Sequence, residues 1–437
     1  MFRFSSRVNI SQPNPIAVES ARLKAAGIKV GQLNDSNPTR HKLAPSCLDS
    51  VYLADPKGPL FARKLLSEHI ARRDNARRDN ARRESVREDS DNPANPDNLY
   101  ILSSTSQAYA WLFAVLCNAG EAVAIPKPGY PLIESIAGIS AVETVAYGQF
   151  YDGSWATDLG VLRELFEKHN GRSSANAAES EEEAMFSEVL PGAPSETQLG
   201  KPPRIKAIVL INPNNPTGAY IKKVERETIV SLCREYGVAI IADEVFFDYE
   251  LEVLQSPERL AGENRVLTFA LDGLSKSMAA PHAKVGWIRV SGPEKDVEKA
   301  CEYLDVVADD FLPVSSAVAD RFEEFMQSVD AQTRKVSCRT RQNLKTLRKM
   351  LEEDENSVVS VLRAEGGWSV LARIPSVFDE NEVALRLLSE YRLASQPGYF
   401  FDMVGDGYFA LSLLAESEEF KRNVEAFLNV VKSMPQS

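Results

Sequence analysis

Histidine is scarce in this chain of 437 residues: His41, His69, His169 and His282 are all there is. None stands at HExxH-type spacing, so a metal-dependent hydrolase has little support. Cysteine is sparse too. Cys47, Cys117, Cys233, Cys301 and Cys338 are scattered without CxxC spacing, which suggests neither a zinc site nor a disulfide framework and fits a reducing, cytoplasmic setting. No apolar run approaches membrane-spanning length, and Met1-Phe-Arg-Phe-Ser-Ser lacks the apolar segment of a signal peptide. Positive charge is in deficit. Lys and Arg total 50 against 62 Asp and Glu, and a net charge of −12 argues against nucleic-acid surfaces and anionic lipid. The remainder is ordinary for a globular protein, 44% apolar and 26% charged, and long enough for two domains with separate cores.

What is present converges on Lys276. A Leu274-Ser-Lys276 turn sits between two short apolar runs, and Met278, Ala279 and Ala280 surround the lysine with little that solvates it. Desolvation lowers an amine's pKa toward neutrality, as a Schiff-base lysine requires. Two earlier segments supply the context. Residues 205–211 read as a buried strand that stops at Asn212-Pro-Asn-Asn-Pro-Thr-Gly218, and residues 238–242 read as another that ends in Asp243-Glu-Val. Ligands in a parallel α/β sheet sit at such strand ends. Asn-Pro-x-Asn-Pro-Thr-Gly, Asp-Glu-Val and Ser-Lys with a basic residue and Gly-Trp downstream occur in a specific order and spacing. That set resembles the fold-type I pyridoxal-phosphate enzymes, specifically the class I/II aminotransferases, from about Asn34 onward.

The resemblance implies an α/β architecture: a large domain with a mainly parallel seven-stranded sheet between helices, plus a smaller α+β domain. The expected division is an N-terminal arm over 1–50 joining the small domain, a large cofactor-binding domain over 51–310, and the small domain over 311–437. It also implies pyridoxal 5′-phosphate as cofactor and a site residue by residue. Lys276 carries the Schiff base and Asp243 pairs with the pyridinium nitrogen. Asn215 donates to the phenolic oxygen, and Tyr130, in Pro128-Gly-Tyr-Pro131, stacks on the ring. Ser103, Ser104 and Thr105, where a strand runs into a helix, cradle the phosphate with Lys284; plain helix capping would look identical. Tyr52, in Tyr-x-x-x-Pro-x-Gly, reaches the phosphate of a neighbouring subunit, which implies a homodimer. Asn37, in Ser36-Asn-Pro38, belongs to the loop that closes over substrate; by itself the segment is an Asx-rich turn.

Several positions depart from the family pattern. Phe246 replaces a tyrosine that hydrogen-bonds the phenolic oxygen. Lys284 replaces an arginine, giving a point charge in place of a bidentate fork. Gly273 stands where a phosphate-binding serine is common. Tyr408-Phe-Ala410-Leu-Ser412 lacks the arginine that forks the substrate carboxylate, and Arg40 is the candidate replacement.

Two inserts interrupt the large domain. Residues 71–97 hold a five-residue tandem duplication, Ala71-Arg-Arg-Asp-Asn, then Ala76-Arg-Arg-Asp-Asn, then Ala81-Arg-Arg-Glu-Ser. Acids interleave with the arginines, and a period of five builds no single basic face on a helix, so a solvated helical extension is expected. Residues 171–203 are acidic and polar, and read as a mobile surface loop. Beyond Trp287, helices are expected over 293–305, 315–325 and 331–353, then strands over 358–364, 366–372 and 407–414 and helices over 380–390 and 418–433.

An aminotransferase acting on an α-amino acid and a 2-oxo acid is the leading expectation. A pyridoxal-phosphate C–S lyase or elimination/synthase enzyme shares the same motifs. A non-catalytic cofactor-binding protein of the fused-regulator kind has less support, since no segment for a DNA-binding module is expected ahead of the motifs.

Overall fold

The computed structural model describes residues 2–8, 10, 15–28, 38–41, 43, 51–52, 54–81, 94–171 and 202–434. Asn37 lies outside the described residues, as do Cys47, residues 82–93 of the first insert and residues 172–201 of the second.

Short runs of branched and small apolar residues, cut by Pro, Asn and Gly, form the central sheet. Its strands are β1 (Leu99–Leu102), β2 (Ala122–Lys127), β3 (Glu143–Tyr151), β4 (Trp155–Thr157), β5 (Ile205–Ile211), β6 (Ala239–Asp243), β7 (Thr268–Gly273) and β8 (Gly286–Ser291). Their order is β1-β8-β7-β6-β5-β2-β3-β4. The four pairings from β7 through β6, β5 and β2 to β3 are parallel, and β8 runs antiparallel to both its neighbours. The expected seven strands gain an eighth, β4, a three-residue antiparallel edge on β3.

Residues of β5 and β6 alternate between two cores, which is why both faces are apolar. Val209, Ile211, Ile241, Phe269 and Ile288 pack under the helices Thr105–Leu116 and Glu294–Phe311. Ile208, Leu210, Ile240 and Ala242 pack under Leu159–Asn170 and Lys223–Tyr236. Each Val, Leu, Ile or Phe among them contributes about 1.5–3 kcal/mol when fully buried. From the adjacent strands β2 and β5 the chain crosses over in opposite directions, to β3 and to β6, and the ends of β5, β6 and β7 open beside that switch.

A single helix, Phe322–Glu352, leads to the second sheet; the expected helices over 315–325 and 331–353 are one four-residue turn and this one element. The second sheet, β9 (Ser360–Val361), β10 (Ser369–Arg373), β11 (Gln396–Pro397) and β12 (Tyr408–Ser412), has the order β11-β12-β10-β9 and is antiparallel throughout. Its core of Val370, Ala372, Phe409, Phe420 and Phe427 is separate from the first two. At the other end of the chain, Phe4 is buried in the large sheet's core and the Lys206 amine donates to Arg3 O at 2.6 Å. Residues 2–7 therefore lie against the large sheet, whereas the arm was expected to join the smaller domain.

The duplicated segment is helical as expected through Ala81, but its first repeat is not wholly solvated. The helix Leu60–Ala81 buries Ala62, Leu66 and Ile70 against Leu99, Ile101 and Trp287, and its first repeat is docked. Arg73 pairs with Asp272 at 2.7 Å and Asp248 at 3.5 Å, and Asp74 with Arg289 at 3.2 Å. Charged partners at the sheet's end, distant in sequence, draw Arg73 and Asp74 partly out of solvent, while Arg72 and Asn75 stay exposed.

Candidate active site

The ends of β5, β6 and β7 and the start of the helix Thr105–Leu116 surround a cavity of about 310 Å³. Ser104, Thr105, Tyr130, Asn215, Asp243, Lys276 and Lys284 all line it, so seven expected site residues converge. Four do not. The Ser103 hydroxyl is turned to Gln107 Oε1 at 2.8 Å. Tyr52 and Arg40 are exposed and outside the lining, although the Tyr52 N–H donates to the Thr39 hydroxyl at 2.8 Å. Asn37 lies outside the described residues.

Lys276 sits in the four-residue turn Leu274–Ser277 that follows β7. Its amine lies 5.2 Å from the ring centre of Phe246 and 5.1 Å from that of Trp368. Burial lowers its pKa and the Asp243 charge opposes this. Ring faces stabilise a cation weakly and accept no proton, so they leave the amine able to shed one.

Asp243 ends β6. Burial lifts its carboxyl to about 6, against the Val245 N–H, the Tyr109 hydroxyl and Lys276, which favour the anion, while Asp272 raises it further. Val245 N–H reaches Oδ1 at 3.3 Å and Tyr109 O–H reaches Oδ2 at 3.0 Å.

The asparagines after β5 divide the work. Asn212 N–H donates to Asp243 O at 2.8 Å, and its Oδ1 accepts from Ile221 at 3.0 Å. Asn214 donates to Pro128 O at 3.4 Å and accepts from the Thr217 hydroxyl at 2.9 Å. Both brace the loop, and Asn215 is left facing the cavity.

At the other end, Ser104 caps the helix Thr105–Leu116 by accepting from Gln107 N–H at 3.2 Å. Its first-turn N–H groups form an anion cradle. A Cβ on Gly286 would lie 3.2 Å from Thr105 N, so glycine lets β8 approach. Gly273, where a serine was expected, has a steric reason: a Cβ there would meet Val285 O at 2.8 Å. Lys284 holds a left-handed backbone, φ 52°, which costs a non-glycine residue about 1 kcal/mol.

Three contributors escape sequence reasoning: Tyr109, Trp368 and Phe246 as a ring against the amine. Aromatics inside apolar stretches read as core. Ala410, in place of the arginine, pairs with Leu371 and Gln396 on β10 and β11 and does not line this cavity.

The chain belongs to the aminotransferase class I and II family, whose model matches residues 81–427. It is 26% identical over 306 residues to the glutamate–pyruvate aminotransferase AlaA of Escherichia coli strain K12, covering 67% of this chain and 62% of that protein. The match thus spans less than two thirds of that relative. The aromatic-amino-acid aminotransferase 2 of Thermococcus litoralis is also 26% identical, over 53% of this chain and 58% of its own length. An Escherichia coli aminotransferase structure superposes with a TM-score of 0.67 at 21% identity, covering 98% of this chain and 100% of that one. Alanine aminotransferase of Pyrococcus furiosus gives 0.68 at 20% identity, covering 95% and 96%. Both show the fold.

The family uses pyridoxal phosphate, and the residues present fit it: an amine short of solvent, a carboxylate for the ring nitrogen, an amide for the ring oxygen, and a backbone anion cradle that a Cβ at residue 286 would crowd. Among the described residues no cluster suits a metal, and no helix is long and apolar enough to cross a membrane.

Proposed function

We propose that this protein is a pyridoxal-phosphate-dependent aminotransferase that moves an amino group between an α-amino acid and a 2-oxo acid. The observation that carries the reading is Lys276, desolvated against the edge-to-face pair of Phe246 and Trp368 in the same cavity as Asp243. Bound pyridoxal phosphate supplies an electron-accepting ring for the pair left when an amino acid's Cα loses its proton. Lys276 would hold the cofactor through its amine, and that amine, its pKa lowered by burial, would be the base that takes and returns the substrate's Cα proton. Asp243, as the anion, keeps the ring nitrogen protonated. Asn215 donates to the phenolic oxygen, Tyr130 covers the ring, and Ser104, Thr105 and Lys284 hold the phosphate. Ser103 supports that turn through Gln107.

Lys276 and Lys284 are both engaged in this scheme and Ala410 carries no charge, so the substrate carboxylate is assigned to Arg40 with Asn37 from the N-terminal segment. Arg40→Ala should raise KM for amino acids steeply with little change in kcat; an unchanged KM removes the assignment. Tyr52, exposed and outside its own chain's cavity, suits a homodimer in which it reaches the other subunit's phosphate. The five scattered cysteines suit a cytoplasmic location.

The test is borohydride reduction followed by peptide mass analysis, with an amino-acid panel followed by loss of the lysine-linked absorbance. A pyridoxyl adduct on the peptide containing Lys276, with conversion to the pyridoxamine form, is expected. No adduct ends the reading, and release of pyruvate and ammonia in place of conversion makes the enzyme an eliminating one.

A further inference from the structure

Tyr109 joins two parts of the cavity that the family motifs treat separately. It lies on the second turn of the helix whose N-terminus forms the anion cradle, and it is buried at 3% exposure. Its hydroxyl points across the cavity end to Asp243 Oδ2, 3.0 Å away. Asp243 Oδ1 takes the Val245 N–H, so each carboxylate oxygen has one donor from the protein. The other charged groups reaching Asp243 are Asp272 from β7, which disfavours the anion, and Lys276 from the next turn, which favours it.

We propose that Tyr109 is a positioning residue that holds Asp243 in place as an anion, so that one helix secures pyridoxal phosphate at its phosphate and, through Asp243, at its ring nitrogen. This rests on the cofactor reading above and deepens it. A phenol is suited to the role. Buried beside a carboxylate, its own pKa is pushed well above the ordinary value, so it stays a donor at every working pH. A hydrogen bond to a charged acceptor is about twice as strong as a neutral one, and removing the donor favours the protonated carboxyl. Asp243 already titrates at about 6. Without the phenol its proton is retained to higher pH, and the pairing with a cationic ring weakens in the neutral range.

The experiment measures pyridoxal-phosphate affinity of the full chain by equilibrium dialysis between pH 5 and 8.5. The variants are Tyr109→Phe, Asp243→Asn and the double variant. Tyr109→Phe keeps the buried ring and loses only the hydroxyl. Wild-type affinity should fall as pH drops through about 6. In Tyr109→Phe that fall should move up by about one pH unit, costing roughly tenfold in affinity near pH 6 and little at pH 8.5. In the Asp243→Asn background the same change should have no further effect. An unmoved acid limb, an equal loss at every pH, or an equal loss in both backgrounds would overturn the proposal. Wild type that binds no pyridoxal phosphate at any pH would instead overturn the cofactor reading beneath it.

Discussion

Lys222 and Lys276 both sit largely out of solvent, and the difference between them separates structure from chemistry. Lys222, just before the helix Lys223–Tyr236, donates to Tyr220 O at 3.1 Å and pairs directly with Glu365, which is 2% exposed. Lys276 has ring faces at 5.1 and 5.2 Å and a cavity before it. Burial lowers both amines. At Lys222 the Glu225 charge opposes that pull, and the amine is held in an ion pair with Glu365 of the β9–β10 connection. A depressed pKa therefore identifies a reactive amine only where geometry leaves it somewhere to react.

The largest effect that can test this contrast is Lys276→Ala. Loss of the base should reduce turnover by about 10²–10⁴-fold, read in single-turnover assays with amino acid, while thermal stability stays near wild type. Lys222→Met should do the reverse. Breaking a buried pair costs about 3–5 kcal/mol, reduced here to about 2–3 by the solvent that still reaches the lysine, and denaturant melts should show it without loss of the Lys276 adduct. If Lys222→Met also loses the adduct, the separation fails. The smallest change sharpens the Lys276 side. Phe246 offers no donor to the cofactor's phenolic oxygen, so Phe246→Tyr should lower the pKa of the lysine-linked absorbance band by about 1–2 pH units in a spectrophotometric titration. A rise would show that the ring's packing, and not the missing hydroxyl, sets that pKa.

Much of this site was legible because its main residues stand where strands stop. Asn215, Asp243 and Lys276 each follow an apolar run, and a buried run that ends in a polar residue places it at the sheet's edge. The cradle was legible as three hydroxyl residues, but only the folded side chains show that Ser103 turns to Gln107 while Ser104 and Thr105 line the cavity. Tyr109 and Trp368 were hidden because their sequence surroundings are those of core aromatics; a hydroxyl's partner 134 residues away has no local sign. Element types in the second sheet were readable, but their extents were not. Residues 358–364 read as a full strand, yet the strand is only Ser360–Val361, with Leu362 N–H adding one bond to Leu371 O. The first repeat, Ala71-Arg-Arg-Asp-Asn75, was misread for a related reason. Its composition is that of a solvated helix, and its partners Asp248, Asp272 and Arg289 come from far along the chain.

That docked repeat bears on how the chain can vary. Five residues advance an α-helix by about 500°, leaving a net rotation of about 140°. Gaining or losing one unit after Asn75 would therefore turn everything downstream to a new compass bearing, while the fastened copy upstream kept its grip. The first unit is the fastened end of the duplication, so a change in unit number after it leaves the pairings of Arg73 and Asp74 in place.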